Sequence, residues 1–262
     1  MTKVINNAKL FCANCFITWL IPMLIITIWQ ISVQSGWLST RILPSPLDVV
    51  HAGITLALNG ALLQHFLASL ERALWGLLIG GSIGFVLGFV TGLFKIAQKL
   101  MDSTIQMIRN IPLLALVPLV VLWFGIGEVS KIFLVSMAVF FPIYLNTFHG
   151  LRSVDKDLIE MGKVYGLNSF GLFKEVILPG AMPSILVGLR MSLGYMWLFL
   201  VVAETIAANE GIGYMTMNAR EFLQTDIMVL GILLYAILGK GSDILAGVLE
   251  RYALKWHHGY QK

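Results

Sequence analysis

The sequence predicts an all-α polytopic membrane protein with about six transmembrane helices. Three observations carry that prediction. Of the 262 residues, 58% are hydrophobic and only 12% are charged, against about 25% charged in an ordinary soluble domain, and the mean hydropathy is +0.83. Six apolar stretches, at about 11–31, 66–93, 105–126, 132–149, 183–207 and 227–249, are long enough or nearly so to cross a hydrocarbon core of ~30 Å. The basic residues also segregate: one alternate set of loops holds 11 of the 18 Lys and Arg, and the opposite set holds four. The richer side is the cytoplasmic one, so both termini and the long polar loop at about 150–182 are expected in the cytoplasm. The net charge of +4 is explained by this topology. No basic patch with interleaved aromatics suggests nucleic acid. The whole of 1–262 is expected to form a single transmembrane domain.

The first span follows Lys3 and Lys9. That start resembles a secretory leader, but the apolar run is too long and no small-x-small cleavage site follows, so an uncleaved span is expected. Cys12 and Cys15 form a C-x-x-C pair in it. No second Cys or His cluster completes a redox or metal site, so the pair reads as packing, and no metal is predicted. The outer segment 32–64 contains Leu43-Pro44-Ser45-Pro46 and Asp48, where Ser45 or Asp48 can cap a short surface helix.

The second span carries Gly76, Gly80, Gly84, Gly88 and Gly92. Glycines four apart open a groove for a second helix, drifting about 40° per step on a straight helix. The stripe reads first as tight packing, and alternatively as a surface that slides during transport. The third span opens with Arg109-Asn110-Ile111-Pro112 and carries Pro118, which predicts a kink or break. Arg109 either snorkels to the interface or marks a pathway. The fourth span is short, carries Pro142 and ends at His149, read as interfacial. In the fifth, Arg190 near the cytoplasm is expected to hold a carboxylate or the long loop. Glu204 toward the outside is expected to pair with Arg220, cap an outer gate or bind substrate. Arg109, Asn110, Arg190 and Glu204 are thus candidates for a translocation path. In the outer loop 208–226, Gly211 and Gly213 suit a re-entrant bend and Met215 to Phe222 a short helix. Lys240 and Asp243 share a face of the sixth span and are expected to pair.

The long loop holds Glu160-Met161-Gly162, then Gly166, then Val176-x-Leu178-Pro179. Residues 155–165 can form a short helix that Gly166 ends in a left-handed conformation. Asn168 or Ser169 can cap a second helix, which Pro179 is expected to stop before the chain re-enters the membrane. A helix-turn-helix in a polar loop is built to fit another surface. It resembles the EAA loop of ABC importer permeases, the segment that docks on the ATPase subunit. Met161 and Gly162 stand where alanines are usual, and Val176 where isoleucine is usual.

The resemblance extends to WLSTRILPSP at 37–46, IQMIRNIPLLALVPLVVLWFGIG at 105–127, KIFLVSMAVFFPIYLN at 131–146 and VAETIAANEGIGYMTMNAREFLQTD at 202–226. These are similar to the permease branch that handles sulfonates, taurine, nitrate and related compounds, and most of all to its aliphatic sulfonate members. The resemblance implies a type I ABC importer permease fold. It also implies a homodimer in a bacterial inner membrane, two cytoplasmic ATPase subunits and a substrate-binding protein. The implied cargo is a small anion, an alkanesulfonate, with taurine, nitrate or a pyrimidine precursor as alternatives. No G-x-x-x-x-G-K-[ST] loop is present, so no cofactor is expected in this chain and ATP would be bound by the partner ATPase. No catalytic constellation suggests an enzyme. An ion-coupled secondary transporter, which would need an inverted repeat and coupling acids, and a membrane-bound assembly subunit are the remaining alternatives.

Overall fold

The computed structural model describes residues 20–40 and 42–256. Cys12, Cys15 and the first half of the first expected span lie outside them. Among the described residues the chain is helical, with no strand. The helices are α1 (Leu20–Gln34), α2 (Pro46–Leu58), α3 (Ala61–Leu93), α4 (Lys95–Arg109), α5 (Leu113–Phe124), α6 (Glu128–Arg152), α7 (Lys156–Val164), α8 (Ser169–Leu172), α9 (Leu178–Ala207), α10 (Ile212–Glu221) and α11 (Thr225–Ala253). Four are long and apolar enough to cross a membrane: α3, α6, the continuous run Ser169–Ile206, and α11. A fifth span is possible by length and composition if α4 and α5, bent by 96° at their junction, are taken together.

Two compact units are distinguishable. The smaller holds the described residues up to Leu62 with Thr216–Ile232. In it, Ser45 caps α2 by a reciprocal pair of bonds with Asp48, and Pro46 occupies the first turn, where its missing N–H costs nothing. Chiefly the Ser45 hydroxyl, then its backbone N–H, holds the Asp48 carboxyl below the ordinary carboxylate range. The indole of Trp29 donates to the Pro44 carbonyl at 3.0 Å, tying α1 to the start of α2.

The larger unit holds Leu63–Met215 and the described residues from Leu233 onward. Its centre is α6, buried along most of its length. Val135, Val139 and Ile143 of α6 pack with Ala73 of α3 and with Met196, Trp197 and Leu200 of α9. The Trp197 indole donates to Ser242 Oγ on α11 at 2.8 Å. Lipid is as apolar as leucine, so close approach and internal polar bonds, rather than hydrophobic burial, hold such helices together. The glycine stripe sits against α6. A Cβ built on Gly84 would lie 2.6 Å from the Phe140 carbonyl oxygen, and one on Gly88 2.6 Å from that of Tyr144. At Gly80 it would run into the Ser136 backbone.

The third expected span is interrupted at 110–112. Pro112 lacks an N–H and disfavours helical geometry at Ile111, so α4 ends at Arg109 and α5 starts afresh after Pro112. Pro118 and Pro142, by contrast, lie inside continuous helices. The Asn146 side chain donates back to the Pro142 carbonyl at 2.9 Å.

Candidate functional site

The loop joining α6 to α9 is built from local rules. Asp155 caps α7 by accepting from the Asp157 amide at 3.0 Å. Gly166, with φ +80°, closes it. Its N–H donates to the Lys163 carbonyl at 3.0 Å, and the Leu167 N–H donates to the Gly162 carbonyl at 3.1 Å, the paired bonds of a Schellman ending. Asn168 caps α8 through the Gly171 amide at 2.7 Å. Gly162 is buried where α7 meets the second helix, and a Cβ there would meet Leu172 Cδ1 at 2.8 Å.

Pro179 does not stop that second helix. The chain passes from α8 through a π-helical turn, Phe173–Ile177, directly into α9. The Leu178 N–H donates to the Phe173 carbonyl across the widened turn. A proline removes one amide and crowds the carbonyl four residues earlier, and a wider turn relieves that crowding. The expected stop is therefore a change of pitch, and the loop is continuous with a span.

The loop has two faces. Inward, Ile159, Phe173, Val176 and Ile177 pack with Leu151, Val154 and Ala181, and with Phe89 and Leu93 of α3. Phe173 meets Phe89 edge-on, with centroids 5.3 Å apart. Outward, Glu160, Met161, Val164, Tyr165 and Phe170 are exposed, Val164 by 86% and Tyr165 by 80%. Leu178 and Pro179 are half-buried at the root of α9. Exposed aliphatic and aromatic groups on a braced loop make a surface suited to a protein partner.

The four path candidates separate. Arg109 and Asn110 line a cavity of about 370 Å³ at the α4–α5 break, with Phe141 and Asn146 of α6 and Tyr195 and Phe199 of α9. Arg190 does not line it. Its Nε lies 2.6 Å from Asp243 Oδ1 and its Nη1 3.3 Å from Glu250 Oε2, so it clamps α9 to α11. Asp243 also receives Lys240, at 3.3 Å.

Glu204 is neither on that cavity nor paired with Arg220. Its side chain is fully buried, near the end of α9 remote from the loop, roughly 40 Å from Pro179 at 1.5 Å per residue. Arg72 Nη1 donates to Glu204 Oε1 at 2.9 Å, and Ser69 Oγ lies 2.8 Å from the same oxygen. The Gly213 amide and the Tyr235 hydroxyl donate to Oε2 at 2.8 and 3.0 Å. Ser69 Oγ in turn accepts from the Ile212 amide at 2.8 Å. Arg72 grips Glu128 with two further bonds, at 2.6 and 2.9 Å, and Lys131 reaches Glu128 at 2.7 Å. Two cations face two carboxylates, so the cluster is formally neutral, the condition on which charges are tolerated inside a membrane protein. Arg72 and Lys131, two of the four basic residues expected on the less basic side with Arg41 and Arg220, are thus buried helix residues. Sequence reasoning overlooked Ser69, Arg72, Glu128, Lys131 and Tyr235 as a group. The available signal was opposite charges near the ends of three separate apolar runs.

Comparisons with known proteins agree with this architecture. The family model described as binding-protein-dependent transport system inner membrane component matches residues 80–254. The putative aliphatic sulfonates transport permease protein SsuC of Escherichia coli (strain K12) is 57% identical over 242 residues, covering 92% of each chain. That of Bacillus subtilis (strain 168) is 43% identical, covering 92% of this chain and 88% of its own. The taurine transport system permease protein TauC of Escherichia coli (strain K12) is 37% identical, covering 89% and 86%. Among solved structures, an amino acid ABC transporter chain superposes with a TM-score of 0.57 at 16% identity, covering 76% of this chain and 96% of that one. At that identity the likeness speaks for the fold alone.

Proposed function

The chain belongs to the family of binding-protein-dependent transport system inner membrane components, and from that premise we propose that it is the membrane subunit of an ATP-driven importer of aliphatic sulfonates. It is a transport permease rather than an enzyme. One observation carries the substrate: the 57% identity to the Escherichia coli sulfonate permease over nearly the full length of both chains, against 37% to the taurine permease. The proposed assembly is two copies of this chain surrounded by lipid in a bacterial inner membrane, two ATPase subunits and a substrate-binding protein. Both termini and the α6–α9 loop face the cytoplasm, on the side richer in Lys and Arg.

The loop is the coupling element. Met161, Val164, Tyr165 and Phe170 form the face that meets the ATPase, with Glu160 beside them. Gly162 permits the close helix contact and Gly166 sets the turn. Val176, Leu178 and Pro179 carry the loop into α9 without a flexible joint. When nucleotide closes the ATPases, displacement of this face moves α6 and α9 together, because the loop's inner side is packed on both. ATP, bound by the partner, biases this chain only through that contact, since a ligand shifts an equilibrium only where it binds the two states differently. The glycine-lined α3–α6 contact is read as fixed packing within the moving body. The test is growth with an alkanesulfonate as sole sulfur source. Cells lacking this chain should fail to grow and recover on its return; growth without it contradicts the proposal.

A further inference from the structure

We infer that the cavity at the α4–α5 break is where this permease holds its cargo, an amphipathic anion whose sulfonate sits on Arg109 and whose alkyl chain lies over Phe141 and Phe199. This rests on the sulfonate-import reading above and adds the residues and the selectivity. The cavity, about 370 Å³, falls in the range that takes small ligands, roughly 300–1,000 Å³. Arg109 has no carboxylate within ion-pair distance among the described residues, whereas Arg72 and Arg190 each bridge two. A guanidinium free of carboxylates in the lining of a cavity offers up to five donors to an oxyanion. Asn110 and Tyr195 line the same space and add polar groups. Tyr195 and Phe199 are one turn apart on α9, so that helix supplies a polar group and an apolar one at successive heights.

The lining also says what is disfavoured. It contains no Asp or Glu, so an aminosulfonate would bring its ammonium to a cavity with a cation and no counter-charge. Like charges confined together raise each other's cost. The cavity therefore favours an alkanesulfonate over a zwitterion of equal length. An anionic lipid shares the cargo's chemistry, a tetrahedral oxyanion with an apolar tail, so the test must separate the two.

The experiment measures equilibrium binding of radiolabelled hexanesulfonate, ethanesulfonate and taurine to the permease–ATPase complex in nanodiscs, with phosphatidylcholine alone or with added phosphatidylglycerol. Hexanesulfonate should bind more tightly than ethanesulfonate, and ethanesulfonate more tightly than taurine. Arg109→Gln should weaken hexanesulfonate by at least about tenfold, the scale of a lost charge-assisted hydrogen bond, and Arg109→Lys by less. Phe199→Ala should shrink the difference between hexane- and ethanesulfonate. Binding unchanged by both Arg109→Gln and Phe199→Ala overturns the inference. So does displacement of wild-type binding by phosphatidylglycerol while uptake continues, which would make the cavity a lipid site. ATP-driven hexanesulfonate uptake by the wild-type complex with its binding protein is scored separately. Its absence would sink the proposed function, whereas uptake with unaltered variant binding sinks only the cavity assignment.

Discussion

At the residue scale, two positions decide most. Gly166 holds φ +80° with no neighbouring atom within 4 Å of a built Cβ, so a side chain there meets a conformational penalty and no clash. Valine in a left-handed conformation costs roughly 1–2 kcal/mol and asparagine less. In the reconstituted transporter, ATP-driven uptake should therefore fall in the order Gly166, Gly166→Asn, Gly166→Val, while the protein still inserts. Equal uptake by all three would remove Gly166 from the coupling element. Glu204 is the second. Removing one partner of a buried ion pair costs about 3–5 kcal/mol, and Arg72 keeps its grip on Glu128, so Glu204→Ala should fall at the lower end of that range. Thermal unfolding in detergent should show the loss for Glu204→Ala and less of it for Glu204→Gln, which can retain bonds to Ser69 and Tyr235. An unchanged unfolding temperature for Glu204→Ala would mean the cluster is not structural. Local features such as the caps at Ser45 and Asn168 were legible in the sequence, because each partner lies within three residues. The Glu204 partner was not. Arg72 lies 132 residues away, and Arg220, much nearer in sequence, was one of the expectations.

At the element scale, α3 and α6 approach through backbone, and side chains cannot yield there. Gly84→Leu should push the helices apart, beyond the 1–3 kcal/mol typical of overpacking because the obstacle is a carbonyl. Gly162→Ala meets only flexible side-chain ends, Leu172 Cδ1 at 2.8 Å and Leu167 Cδ1 at 3.3 Å, and should leave assembly intact. Yield and unfolding temperature of the two variants, compared with wild type, check this contrast; a stable Gly84→Leu protein would contradict the α3–α6 packing. The apolar runs at 66–93, 132–149, 183–207 and 227–249 were legible as spans from composition alone, and Pro112 signalled the break in the third expected span. The π turn before Pro179 was not, since a proline reads equally as a stop or as a first-turn residue, and only packing of Phe173 and Val176 on the span ends decides that the helix continues.

At the scale of the whole molecule, α3, α5 and α11 carry exposed apolar side chains such as Leu78, Leu122 and Ile237, the surfaces that lipid and a second copy would cover in the proposed assembly. The braced loop is the face proposed to meet the ATPase. Topology is tested by C-terminal reporter fusions, which should be active only in the cytoplasm; activity only outside would invert the orientation and place the loop beyond any ATPase. The central claim is that this chain is driven by ATP bound to another subunit. Its most direct measurement is sulfonate uptake into proteoliposomes holding the purified chain alone, then with the ATPase and binding protein added. The chain alone should neither hydrolyse ATP nor accumulate alkanesulfonate under an imposed proton or sodium gradient, and the full set should accumulate it only with ATP. Accumulation by the chain alone along an ion gradient would contradict the account.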